Sequence, residues 1–146
     1  RRLLEVNLVA VLAVVHATLP AMQAARYGRI VSIVSEAARL GSKGGSVYAA
    51  AKGGVISFTK SIARENARYG ITANCVAPGP IDTPMLRAEI ELFGGTQEVI
   101  DGAVGRVPLK RFARPEEVAR AILFLAADAE YATGATLRLD GGTTMV

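Results

Sequence analysis

Tyr48 and Lys52 stand four residues apart in Tyr48-Ala-Ala-Ala-Lys52. On a helix that spacing sets both side chains on one face. A phenol ordinarily titrates near pH ~10 and is a poor proton donor or acceptor at neutrality. An ammonium a few ångströms away favours the phenolate. Such a pair can serve as general acid and base toward an alcohol or ketone oxygen. A surface Tyr stacked on a Lys stem has the same spacing, so the neighbouring segments must support the chemistry. Ser35 does so, because it ends an apolar run thirteen residues before Tyr48. Open parallel sheets bind ligands at the carboxyl ends of their strands, where a Ser35 hydroxyl can hold a substrate oxygen. A second apolar run closes in Pro78-Gly79-Pro80-Ile81-Asp82-Thr83. Gly79 there permits a flat ligand to approach the backbone. Thr83 adds a hydroxyl at the start of a possible helix. An ordinary turn would read the same way.

Other chemistries are excluded by count. The chain has one His and one Cys, which cannot make a Ser-His-Asp or Cys-His site or a zinc site of three or four ligands. The lone Cys75 forms no intrachain disulfide, suits a reducing, cytoplasmic compartment, and reads as a small core residue. His16 reads as a core or interface histidine rather than a base. Arg39 reads as a solvated loop residue, with a contact to an anionic or thioester substrate tail as the alternative. Lys and Arg number 17 against 13 Asp and Glu, a net charge of +4, but the cations are scattered. With 5% aromatics and no Trp there is no stacking platform, so no nucleic-acid partner is expected. No run reaches ~18 uninterrupted apolar residues, so no membrane partner is expected either.

The elements that must position these residues alternate. Residues 3–26 have the apolar period of a helix, with a kink expected at Pro20 and a stop at Tyr27-Gly28. Residues 29–34 read as a strand buried on both faces. Residues 35–45 read as a polar loop. A second helix is expected over 46–68, with Ser46 as its N-cap and Tyr69-Gly70 as its stop. A second buried strand covers 71–77. Residues 82–113 read as a mobile flap with short helices possible at Thr83-Pro84 and at 97–104. A third long helix spans 115–127, opened by Pro115, Glu116 and Glu117. A last strand covers 135–139, before the Asp140-Gly141-Gly142 turn. Strands alternating with helices predict an α/β fold with a parallel sheet covered on both faces. At 146 residues the length allows one domain, and 51% hydrophobic residues make it globular. Three strands are few for such a sheet, which should leave an apolar strand edge bare. Apolar and small residues on both long helices exceed what the sheet can cover.

Together these segments resemble the short-chain dehydrogenase/reductase family. The resemblance rests on Asn7 in Glu-Val-Asn-Leu, Gly28-Arg-Ile-Val-Ser-Ile-Val-Ser35 and Tyr48-Ala-Ala-Ala-Lys52. It continues through Asn74-Cys-Val-Ala-Pro-Gly-Pro-Ile-Asp-Thr83, Arg114-Pro-Glu-Glu-Val118, and Thr133-Gly134 ahead of Asp140-Gly-Gly142. It implies a Rossmann-like doubly wound parallel sheet and an NAD- or NADP-dependent oxidoreductase that interconverts a secondary alcohol and a ketone. Tyr48 would be the acid/base. Lys52 would favour the phenolate and hold ribose hydroxyls. Ser35 would polarise the substrate oxygen. Asn7 would anchor a water in a proton relay, although an Asn bonded to backbone at a helix irregularity reads alike. Backbone at Pro78, Gly79 and Ile81, with Thr83, would hold the nicotinamide end of the cofactor. Leu109-Lys-Arg-Phe resembles 3-oxoacyl thioester reductases, and Ser35-Glu-Ala-Ala-Arg39 resembles dehydrogenases of alicyclic hydroxyacyl substrates. The family's Gly-rich pyrophosphate turn does not occur, and Gly41-Ser-Lys-Gly-Gly45 follows the wrong strand for it. Residues 1–146 therefore resemble the C-terminal, catalytic half of a family domain. The implied N-terminal dinucleotide-phosphate-binding half, about 100 residues, would lie upstream of Arg1. Homodimers or homotetramers are expected on the same resemblance. The alternative is a non-catalytic fragment that binds no cofactor.

Overall fold

The computed structural model describes residues 1–145. A continuous first helix comprises α1 (Arg2–Leu4), a π-helical stretch (Glu5–Val9) and α2 (Ala10–Ala25). Then follow β1 (Gly28–Ile33), α3 (Ala37–Leu40), α4 (Ser46–Asn66), β2 (Ile71–Pro78), α5 (Pro84–Leu92), α6 (Gln97–Gly105), α7 (Pro115–Leu123) and β3 (Thr136–Leu139). All pairings are parallel, in the order β1-β2-β3. The α/β reading and the parallel sheet are as expected, but β1, expected to be buried on both faces, is an edge strand that is only half-buried, with Ile33 exposed.

β2 is the middle strand and explains the rest. Every residue from Ala73 to Pro78 is buried. Ile71 and Ala73 pack with Val15, Leu19 and Ile62, and Cys75 and Ala77 pack with Val34 and Val55. Val76 points the other way, onto Val118, Ala121 and Leu125. Helices α2 and α4 thus cover one face and α7 the other, which is why the strand reads as a nearly unbroken apolar run. Asn74 is the polar exception. Its Nδ2 donates to Ala132 O at 2.8 Å and its Oδ1 accepts from the Ala135 amide at 3.0 Å, which fastens the entry to β3.

The structure corrects several local readings. The helix before β1 ends on Arg26, which takes the left-handed conformation (φ 50). Gly28 is already the first residue of β1, and a Cβ there would come within 2.7 Å of Met22 Sδ. Its smallness lets the strand begin under the helix; it does not cap it. Gly70 is left-handed as expected (φ 72), and a Cβ on it would sit 2.8 Å from Arg26 O. The two helix-to-strand turns therefore pack against each other. Gly45, not Ser46, precedes the first turn of α4, and no side chain caps that end. The loop expected over 35–45 holds the short helix α3. The third long helix ends at Leu123 and continues as a π-helical stretch, Phe124–Asp128. Helix α2 runs through Pro20 to Ala25.

Leu3, Leu4, Val6, Val9 and Val14 on the first helix are exposed, as is Ile33 of β1. The helix Arg2–Ala25 is long and apolar enough to cross a membrane by length and composition, which a count of uninterrupted apolar residues overlooked. A helix whose apolar face is covered by other protein meets the same description.

At α7 the order of charges does the capping. The Glu117 carboxylate accepts from the Arg114 amide at 2.8 Å and from both Arg111 guanidinium nitrogens at 2.8 Å. Those bonds, Arg111 first, hold its carboxyl down from 4.5 to about 2. Because the folded value is depressed, this contribution to stability is present above the ordinary Glu range. It is lost as pH falls from there toward about 2. Glu117→Gln should lower the melting temperature most at neutral pH and least near pH 2, so that the acid limb of a melting-temperature-versus-pH curve flattens.

Candidate active site

Past the end of β1, pairing with β2 continues. The Val34 amide donates to Val76 O at 2.8 Å and the Glu36 amide donates to Pro78 O at 3.2 Å. Ser35 therefore stands beside the Pro78-Gly79 turn, at the carboxyl ends of adjacent strands. Its Oγ accepts from the Ala37 amide at 3.2 Å, which fixes the hydroxyl and leaves its proton to donate.

Tyr48 and Lys52 lie in the first two turns of α4, anchored by the fully buried Ala51 and Val55. Lys52 Nζ sits 5.7 Å from the centre of the Tyr48 ring and donates to Ile33 O at 3.0 Å. That bond ties the helix to the end of β1. Burial holds the Lys52 amine below its ordinary value. An ammonium carries three donors, so two remain beyond the one given to Ile33.

Turn 78–83 is built from backbone. The Gly79 amide donates to Leu139 O at 3.1 Å, and a Cβ on Gly79 would meet Asp140 Cα at 2.9 Å. Gly79 is thus required by the approach of β3, a demand that motif reading did not anticipate. Ile81 bridges to Ala113: the Ala113 amide donates to Pro80 O at 3.0 Å and the Asp82 amide to Ala113 O at 2.8 Å. These bonds use the neighbours of Ile81 rather than its own amide. Thr83 is the N-cap of α5, its Oγ1 accepting from the Leu86 amide at 3.3 Å.

Asn7 lies in the π-helical stretch, and its Nδ2 donates to Leu3 O at 3.1 Å. Inserted turns of this kind often mark functional positions. The residues of this stretch face α4, where a Cβ on Gly54 would come within 3.2 Å of Leu8. His16 is exposed, 5.8 Å from the Phe58 ring and bonded to Leu12 O. Cys75 is a buried thiol, raised above its ordinary value by burial. Among the described residues no cluster of His, Cys, Asp and Glu could hold a metal. Glu36, directly after Ser35, was not singled out by sequence; its only signal was a carboxylate at a strand end.

A family model described as Enoyl-(Acyl carrier protein) reductase matches residues 1–144. The 3-oxoacyl-[acyl-carrier-protein] reductase FabG of Escherichia coli is 44% identical over 145 residues, 99% of this chain and 57% of its own length. The FabG of Thermotoga maritima is 44% identical over 140 residues, 95% of this chain and 54% of its own. The chain belongs to the short-chain dehydrogenase/reductase family. A crystal structure from Agrobacterium tumefaciens, described as a candidate gluconate dehydrogenase, superposes with TM-score 0.88 at 33% identity. It matches 96% of this chain and 54% of its own. The fold is thus the Rossmann-like sheet of that family, and the chain spans little more than half the length of the relatives it matches.

Within that family fold, the Thr83 hydroxyl caps a helix that begins at the turn beside Ser35. Thr83→Ala should lower stability by ~1 kcal/mol and speed hydrogen exchange at the Leu86 amide. Thr83→Ser should leave both close to the starting protein.

Proposed function

We propose that this chain supplies the proton-transfer and nicotinamide-side half of an NAD- or NADP-dependent oxidoreductase that interconverts a secondary alcohol and a ketone. The observation that carries the proposal is the desolvated Lys52 amine beside Tyr48, on a helix tied to the strand end that bears Ser35. The donor set suits the nicotinamide end of such a cofactor. The Lys52 ammonium, the Ile81 amide and the Thr83 hydroxyl can bond ribose hydroxyls and a carboxamide. When bound, the nicotinamide ring gives or takes the hydride. Ser35 donates its hydroxyl proton to the carbonyl oxygen and holds it. Tyr48 gives that oxygen its proton in reduction and takes it back in oxidation. The Lys52 charge favours the phenolate left behind. Asn7 is proposed to hold a water through its side-chain oxygen, since its amide nitrogen is committed to Leu3.

The names of the relatives favour a 3-oxoacyl thioester as substrate, with an alicyclic ketone as the alternative. The proposal places residues 1–146 as the catalytic part of one domain, in a reducing, cytoplasmic setting that suits the free Cys75. The exposed apolar face of the first helix, Leu3 to Val14, is proposed to meet a second copy of the chain. Sizing chromatography of the full-length protein should show a dimer or tetramer; a clean monomer would count against that part.

In the full-length polypeptide, Tyr48→Phe should lower kcat about 100-fold or more with NAD(P)H and an acetoacetyl thioester, while the melting temperature stays near that of the parent. Retained turnover would sink the mechanism. The alternative, a non-catalytic piece, is separated by titrating NADH and NADPH into the 146-residue chain itself. Tight binding would exclude it.

A further inference from the structure

Arg39 and Lys60 take no part in the steps above, yet the fold brings them to one cavity. Helix α3, which follows Ser35, packs against α4, which carries Tyr48 and Lys52. Between these two helices and the start of β3 lies a concavity of about 690 Å³. Arg39 of α3, Ser57 and Lys60 of α4, and Thr136 of β3 line it. All four side chains offer a hydrogen-bond donor, and two of them are cations. Among the described residues no carboxylate lines the cavity. Lys60 makes no ion pair there, whereas Arg87 and Arg111 are each held by a carboxylate.

Gly53 keeps the wall open. It lies inside α4 and faces the cavity. Glycine weakens a helix interior relative to alanine. Packing does not ask for it here, because a Cβ on Gly53 would meet nothing nearer than Ala38 O at 3.9 Å. The space is free for something outside the chain.

The cavity also adjoins the candidate active site. Lys60 is twelve residues beyond Tyr48 on one helix, about 18 Å along its axis. By the helical period, the face bearing Gly53, Ser57 and Lys60 lies beside the face bearing Tyr48 and Lys52. Two cations and two hydroxyls with no acid opposite them fit an anion with several oxygens, above all a phosphate or pyrophosphate. A thioester carrier brings such a group, since its acyl chain hangs from a long pantetheine arm that is phosphorylated at the far end. A carbonyl held at Ser35 and Tyr48 leaves that arm free to run along α4.

We propose that Arg39, Ser57, Lys60 and Thr136 form an anion site for the phosphorylated end of the pantetheine arm of a thioester substrate. The occupant rests on the oxidoreductase and thioester reading above; the anion site itself does not.

The test uses the full-length protein and two substrates with the same acyl group. Acetoacetyl-coenzyme A carries phosphates, and acetoacetyl-N-acetylcysteamine carries none. The readout is the ratio of their KM values with NADPH or NADH. Lys60→Gln should shift that ratio about fivefold against the coenzyme A ester, with a smaller change in kcat. Adding Arg39→Gln should shift it further, and Lys60→Arg should restore it. Both side chains are exposed, so melting temperatures should stay near that of the parent. Independently of turnover, inorganic pyrophosphate is titrated calorimetrically with the cofactor saturating, which fills the cofactor's own phosphate site. Binding should saturate in the parent, weaken about fivefold in Lys60→Gln, and fade as salt is raised. An unchanged KM ratio, or pyrophosphate binding equal in parent and Lys60→Gln, would overturn the proposal. A parent without turnover that still binds pyrophosphate through Lys60 would remove the oxidoreductase reading and leave the anion site standing.

Discussion

The parallel register of β1 on β2 governs everything else in this structure. Gly28 pairs with Ile71 and Ile33 with Val76, and the ladder runs on through the Val34 and Glu36 amides. That register alone brings Ser35 alongside Pro78 and Gly79. It is strongly specified, because β2 is buried on both faces and alternates its contacts. A slip of one residue would turn Cys75 and Ala77 away from Val34 and Val55 and drive Val76 into the wrong layer. β3 then locks the other edge, through Cys75 N to Ala135 O and Gly79 N to Leu139 O. The residues proposed to hold the substrate oxygen and those proposed to hold the nicotinamide are therefore spaced by one set of backbone hydrogen bonds.

Helix α4 adds the proposed acid/base pair, Tyr48 and Lys52, to that frame. Its buried face, Ala51, Val55, Ile62 and Ala63, lies on the sheet and orients the helix. Tyr48 and Lys52 come to the strand ends as a consequence. The bond from Lys52 to Ile33 O does more than orient the amine. It satisfies a carbonyl at the end of β1 and holds a partly desolvated charge next to the phenol. A lysine suits this place because a compact ammonium can serve several acceptors at once.

Much of this arrangement was legible in the chain. The apolar run at 71–77 meant a strand covered on both sides, and the Tyr48–Lys52 spacing meant one helical face; the similar run at 30–34 misled, because β1 is an edge strand only half-buried, with Ile33 exposed. Gly70 and Thr83 occupy the turn and cap positions that their chemistry predicts. Other signals misled because they depended on neighbours far along the chain. Gly28 looked like a helix stop, but the left-handed residue is Arg26, and Gly28 is small because Met22 lies over it. Ser46 looked like a cap, yet α4 begins without a side-chain cap because its packing on β2 suffices. Gly79 looked like a gap for a ligand, yet the backbone at Asp140 already demands it. Glu36 was passed over because its partners, Asp140 and Thr143, lie more than a hundred residues away in sequence.

The sequence by itself determined the kinds of element, their order, and the chemical types offered at each junction. These follow from local periodicity and from side-chain chemistry, which need no partner to be read. Only the tertiary structure decided which groups meet. It gave Lys52 the carbonyl of Ile33, stacked Gly79 on Asp140, and pressed Glu36 against a second carboxyl. Such contacts arise where three strand ends converge, and the chain lengths between them carry no record of the distance. Burial then shifts the same residues from what their type alone would predict, raising the Glu36 carboxyl and lowering the Lys52 amine.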